Sequence, residues 1–222
     1  MVSLVGIDPA AHAASLYEGS HGEGEEAIWR YLFDGPYPDR ASFDASLGAK
    51  SRSIDPLFFA IVDRKSGEAA GWAAYMRIEP AHRVIEIGSI LYTRPLQRTP
   101  GATEAMYLMA RHVFETLGYR RYEWKCHALN EPSRRAAVRL GFAYEGLFRQ
   151  HMIVKGRSRD TAWYSMLDTE WPRCRAAFDA WLDPSNFDDR GRQRRRLAEI
   201  REGQPRGQSH FVSGERPRSL EP

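Results

Sequence analysis

The spacing of apolar residues divides the chain into a helical first third, a mixed centre and a polar end. Asp8-Pro9 opens a predicted helix that runs through Tyr17, with proline in the first turn where its missing N–H costs nothing. Gly22 and Gly24 interrupt it. A second predicted helix, Glu25 to Phe33, places Ile28 with Leu32 and Trp29 with Phe33 four residues apart. Gly35-Pro36 and Pro38 end that segment, and Asp39 to Ala49 reads as a third short helix. At Leu57 the period changes from helical to alternating. Leu57 to Val62 and Ala69 to Ile78 read as strands of a hairpin turned over Asp63 to Gly67. Val84 to Tyr92 alternates with one face more apolar than the other, as in a sheet covered by helices.

After a loop with Pro95 and Pro100, Thr103 to Leu117 reads as a strong helix stopped by Gly118. A strand at Tyr122 to Ala128 and a helix from Glu131 to Leu140, ended by Gly141, follow. Phe142 to Val154 and Thr161 to Leu167 form a last hairpin about Lys155-Gly156. An amphipathic helix over residues 169–183 carries Trp171, Cys174, Phe178 and Trp181 on one stripe. Beyond Pro184, Arg190 to Glu202 predicts a charged helix with few apolar anchors. Gly203 to Pro222, rich in Gly, Pro, Ser and Arg, is expected to be disordered. The pattern predicts one α+β domain with a mixed sheet over residues 1–183 and a polar extension over 184–222.

Composition narrows the classes. A chain of 222 residues with 42% hydrophobic and 27% charged residues has enough apolar material for a sizeable core. No apolar run approaches the ~18 residues a membrane span requires. The opening MVSLVGIDPAAHAA lacks the basic and apolar regions of a secretory signal. Two cysteines, Cys126 and Cys174, make neither a disulfide framework nor a zinc site, so a cytoplasmic location is expected. The formal net charge of +3 lies wholly in the extension, where residues 184–222 hold nine arginines against six acidic residues. A neutral body argues against a dedicated nucleic-acid binder, which needs a basic surface to follow phosphates.

The chemistry concentrates between Glu86 and Phe142. Its centre is Leu96 to Ala105, LQRTPGATEA, at a strand-to-helix junction. Small residues and threonine there expose backbone N–H groups, and a helix N-terminus adds the positive end of a dipole. Together they can hold a diphosphate, with Arg98 as a charged partner. The order of elements and these residues resemble the GNAT acyltransferases, nearest their RimJ/RimL-type branch. That family carries [QR]-x-x-G-x-[GA], often followed by T-E-A, after its fourth strand. This chain has Gln97, Arg98, Thr99, Pro100, Gly101 and Ala102, then Thr103-Glu104-Ala105. It departs at Pro100, which stands where the first glycine is expected and supplies no N–H. Asn130-Glu131-Pro132-Ser133, Leu140-Gly141-Phe142 and Glu145-Gly146 match further family patterns.

The resemblance implies a mostly antiparallel sheet whose two central parallel strands, Val84 to Tyr92 and Tyr122 to Ala128, splay to receive an acyl-CoA. Acetyl-CoA is the implied donor; no metal is expected, because the two cysteines are far apart and the histidines scattered. Backbone groups of Ile90, Leu91 and Tyr92 would pair with the pantetheine amides, and Asn130 would meet the same arm. The diphosphate would rest on Gln97, Arg98, Thr99, Gly101, Ala102 and Thr103. Many family members use a tyrosine four residues before the L-G-F glycine as the acid that protonates the leaving thiolate. Here that residue is Ala137, so the alternative acid is Ser133 of N-x-x-S, unless Ser133 only caps its helix. For the base, Glu86 lies on the cleft strand, either as a proton acceptor or salt-bridged to Arg83. His127 is the second candidate, and Cys126 reads as a small strand hydrophobe.

Trp29, Tyr31, Phe33 and Tyr37 border the acceptor region in this family, or else are simply core. His21, Glu23, Glu25 and Glu26 either draw in a cationic amine or form a solvated face. The implied activity is direct acetyl transfer to a primary amine, on a protein N-terminus, a small amine or an amino acid. A non-catalytic acyl-CoA sensor, or a ribosome- or RNA-associated protein using Arg192 and Arg194 to Arg196, are the rivals. A homodimer is compatible with either.

Overall fold

Seven strands form one sheet in the computed structural model, which describes residues 1–205. In chain order the elements are β1 (Val2–Gly6), α1 (Pro9–Ser20), α2 (Glu26–Trp29), α3 (Arg40–Arg52), β2 (Leu57–Asp63), β3 (Ala69–Glu79) and β4 (Val84–Tyr92). Then come α4 (Pro100–Arg111), β5 (Arg121–His127), α5 (Glu131–Leu140), β6 (Ala143–Val154), β7 (Arg157–Leu167), α6 (Trp171–Leu182) and α7 (Leu197–Glu202). The strand order is β1-β2-β3-β4-β5-β7-β6, with β4–β5 the only parallel pair in it.

Alternation along β3 shows how the sheet sorts its two faces. Ala73 and Tyr75 enter one apolar cluster with α4, α5 and α6, while Trp72, Ala74 and Met76 enter another with α1, α2 and α3. Helices on both faces explain why the central strands are apolar on both sides. Caps fix the helices that frame the site: Asp8 accepts from Ala10 N at 3.0 Å, Asp39 from Ser42 N at 2.7 Å and Asn130 from Ser133 N at 3.2 Å.

The structure departs from the sequence expectations in four places. Strand β1 was not anticipated. It is a five-residue edge strand running straight into the α1 cap, too short for its period to register. Its Val2 N–H donates to the buried carboxylate Glu104 Oε2 at 2.6 Å, which ties the strand to α4. The second helix shrinks to the four residues of α2. Helix α4 starts at Pro100 rather than Thr103, because Thr99 is the cap, and it ends in a π-helical turn over His112–Thr116. The charged helix expected over Arg190 to Glu202 is confined to α7, and the two apolar residues within it are decisive. Leu197 and Ile200 are 1% and 3% exposed and join the main core, while Arg201 donates to Arg139 O at 2.7 Å and Val138 O at 3.1 Å at the end of α5. The expectation of disorder falls on residues that lie almost wholly outside those described.

Ile200→Ala should therefore lower stability by about 2–5 kcal/mol, as for a core aliphatic side chain. Urea unfolding of the full chain measures it, and a change within ~0.5 kcal/mol would mean that α7 is not docked in solution.

Candidate active site

The parallel ladder between β4 and β5 is short. It pairs Val84 to Ile87 with Arg121 to Trp124 and stops. Just beyond, β4 holds one residue more than β3 between the pairs Trp72–Leu91 and Ala74–Gly88, and Ser89 adopts φ 48° to absorb it. The bulge bends β4 away from β5. From Gly88 onward the β5-facing edge of β4 has no strand partner, so its N–H and C=O groups face the gap. The bulge also reverses the side chains. Leu91 turns into the cluster beneath α1–α3, while Ile90 and Tyr92 pack on the α4–α5 side.

A cavity of about 370 Å³ passes through the split. Trp124 and Cys126 line it from one face of β5, and Lys125 and His127 from the other. Only a passage through the sheet can meet both faces of one strand. On the α5 side it is lined by Tyr92, Asn130, Ser133 and Ala136, and on the opposite side by α2, the following segment and the β6–β7 hairpin. Two hydrogen bonds tie α2 and its flank over that second mouth: Lys155 Nζ to Trp29 O at 2.9 Å and Tyr31 Oη to Leu129 O at 3.0 Å.

Glu86 is 3% exposed and sits on the cavity wall. Its Oε2 accepts from Arg77 Nη1 at 2.7 Å and lies 2.9 Å from Lys125 Nζ. The expected partner Arg83 is not involved; it turns the β3–β4 connection with φ 51°. Lys125 also reaches Glu123 Oε2 at 2.7 Å, and Arg121 bridges Glu123 and Glu145 at 2.7 and 2.5 Å. Three cations and three carboxylates thus alternate in one row, of which Arg77, Glu86 and Lys125 line the cavity. Burial pushes the Glu123 carboxyl up, but Lys125 and Arg121 outweigh it and hold the group below its ordinary range. Glu86 Oε1 takes part in none of these pairs. It lies 3.4 Å from where a Cβ on Gly88 would stand, beside Met76 Sδ, which already fills that space.

His127 accepts from Leu129 N at 3.1 Å through Nδ1 and packs against Tyr31 at 5.3 Å. That bond places the proton of the neutral ring on Nε2, so the ring offers a donor and no free acceptor. Burial, helped by Arg159, pushes its pKa down. Ser133 Oγ accepts from Trp124 Nε1 at 3.0 Å and lies beside the Cys126 thiol, with its own O–H able to donate. Asn130, not Ser133, is the cap of α5. Ala137 is fully buried, and burial pushes the Cys126 thiol up, away from a thiolate.

At the far end, Gln97, Arg98, Thr99, Gly101, Ala102 and Thr103 form the bend and first turn of α4 and do not line the cavity itself. Arg98 adopts φ 61° at the bend and is exposed. The Thr99 hydroxyl is engaged, accepting from Ala102 N at 3.3 Å and donating to Leu96 O at 2.7 Å. Gln97 Nε2 donates to Tyr92 O at 2.9 Å. Arg139 was not anticipated. It crosses from α5, packs over Trp181 at 4.9 Å and donates to Thr103 Oγ1 at 3.1 Å, bringing a second guanidinium to the α4 N-terminus. In the sequence it is one of three arginines on α5, and only the position of α5 beside α4 distinguishes it. His21 and the aromatics Trp29, Tyr37 and Phe43 pack together under α1–α3, while Tyr31 and Phe33 reach the cavity. Glu25 pairs with Arg94 at 2.7 Å. Among the described residues no group of three or more His, Cys, Asp or Glu could hold a metal ion, and no helix is long and apolar enough to cross a membrane.

Residues 4–143 match the Acetyltransferase (GNAT) domain. A crystal structure of a GCN5-related N-acetyltransferase from Brucella melitensis superposes with a TM-score of 0.88 at 52% identity, covering 90% of this chain and 91% of that one. The provisionally named ribosomal N-acetyltransferase YdaF of Bacillus subtilis is 29% identical over 105 residues, 47% of this chain and 57% of its own. The uncharacterized N-acetyltransferase YoaA of the same organism is 30% identical over 104 residues, 47% of this chain and 58% of its own. The chain therefore matches little more than half the length of these two relatives. With the split sheet, the cavity through it and the domain match together, the chain belongs to the GNAT acetyltransferases.

Proposed function

We propose that this protein transfers the acetyl group of acetyl-CoA directly to a primary amine, without an acyl-enzyme. The observation that carries this reading is the through-sheet cavity. It gives donor and acceptor separate mouths on opposite faces that meet at the split. The unpaired edge of β4 from Gly88 to Tyr92 suits the pantetheine amides, with Asn130 beside them. Arg98, Arg139 and the first turn of α4 suit the diphosphate, and Arg139 makes good the donor that Pro100 lacks.

At the centre, the amine must lose a proton and the departing thiolate must gain one. Glu86 lines the cavity, its Oε1 takes part in no ion pair, and this oxygen takes the amine proton, directly or through a water. Arg77 and Lys125 hold the other oxygen and fix the carboxylate's orientation. Ser133, with Trp124 Nε1 on its lone pair, has an O–H able to donate on the donor side and returns a proton to sulfur. His127 has no acceptor to offer and serves as a donor at the acceptor mouth. Cys126 is buried, unactivated and unneeded. A protein N-terminus, small amine or amino acid all fit this chemistry.

Two results would test the reading. Saturating acetyl-CoA should raise the melting temperature by mass action, and Arg139→Gln should weaken donor binding about 10- to 100-fold through its lost charged hydrogen bonds. No thermal shift in the parent protein would reject the donor. Glu86→Gln should lower kcat by about 10²–10⁴ while acetyl-CoA still shifts the melting temperature. An unchanged kcat would reassign Glu86 to a structural role.

A further inference from the structure

The charges along the acceptor side do not all cancel. Arg77, Lys125 and Arg121 are answered by Glu86, Glu123 and Glu145. Arg159 on β7 is not. It is only 5% exposed, yet it lines the cavity and has no carboxylate partner among the described residues. Its Nε donates to Thr161 Oγ1 at 3.2 Å, and that oxygen also lies 3.0 Å from His151 Nδ1. Phe33 packs across the guanidinium at 5.1 Å. Thr161 and Phe33 therefore fix the plane of the group while both terminal nitrogens remain without a partner among the described residues. The other titratable groups around it do not neutralise it. His127 and His151 are both pushed by burial toward the neutral form, and Glu86 is shared by Arg77 and Lys125.

A buried cation without a counter-charge is expensive, and interiors rarely keep one unless something else completes it. The two free nitrogens form the end edge of a planar fork, which matches the two oxygens of a carboxylate through parallel hydrogen bonds. The cavity joins this edge to the split where the amine must stand. We infer that Arg159, oriented by Thr161 and Phe33, is a specificity-determining residue that binds a carboxylate carried by the amine acceptor, so that the preferred acceptors are amino acids rather than simple amines or polyamines. This inference rests on the proposed transfer to an amine and names the class of acceptor.

The test uses a ladder of glycine, β-alanine, 4-aminobutanoate and 5-aminopentanoate, each beside its carboxamide, with free CoA release as the readout. At least one length should show kcat/KM ten-fold or more higher for the acid than for the amide. Arg159→Gln should collapse that ratio toward one, and Arg159→Lys should restore it in part, since lysine keeps the charge but loses the fork. Equal ratios in the parent protein would overturn the inference. A turnover-independent arm separates its failure from that of the transfer reading. Calorimetry of the N-acetylated ladder against the CoA-loaded protein should show the acids binding at least ten-fold tighter than the amides, with the difference lost in Arg159→Gln. Acid-selective binding without any turnover would reject the transfer reading and support the subsite. Turnover with no acid preference in either measurement would do the reverse.

Discussion

Everything at this site depends on one unpaired length of backbone. A β-sheet is held by satisfying its N–H and C=O groups, and an unpaired central edge is normally costly. Here the cost is localised by a single extra residue. Ser89, held in a left-handed conformation usually left to glycine or asparagine, bends β4 off its parallel neighbour, while the antiparallel neighbours β3 and β7 keep both halves of the sheet intact. The opening is thus set by the strand's own register.

The polar residues around this opening obey a complementary rule. Alternating Arg77, Glu86, Lys125, Glu123, Arg121 and Glu145 compensate one another, with Lys125 further packed over Trp163 at 3.9 Å. Such a row gives little net stability when buried, but each member holds its neighbour's orientation. That is what a reaction centre needs from its surroundings. Glu86 Oε1 and the terminal nitrogens of Arg159 take part in none of the row's pairs.

The strands were largely legible because alternation and helix punctuation are local signals, while the parallel central pair followed from the family resemblance. β2 through β6, the cap at Asp8 and the stop at Gly141 lie within a residue or so of those signals, and β7 begins four residues earlier than its own. What was illegible depended on distance. β1 needs the partner β2 more than fifty residues away. Arg139 becomes interesting only when α5 lies beside α4, and Arg159 only when the β6–β7 hairpin faces α2. Glu86 and Ser133 could be placed on the cleft elements from sequence, but not their bonding. Whether His127 offers an acceptor or a donor turns on one backbone N–H at Leu129 that no spacing rule reports.

The two ends of the described chain converge on the same pair of helices. Glu104 of α4 receives the Val2 N–H, and Arg201 of α7 closes the end of α5 on the carbonyls of Val138 and Arg139. Arg139 then carries that anchorage across to Thr103 at the α4 N-terminus. Coupling between a ligand at this junction and the docking of either end is necessarily reciprocal. If a diphosphate bound there favoured the docked ends, the docked ends would favour the diphosphate by the same factor.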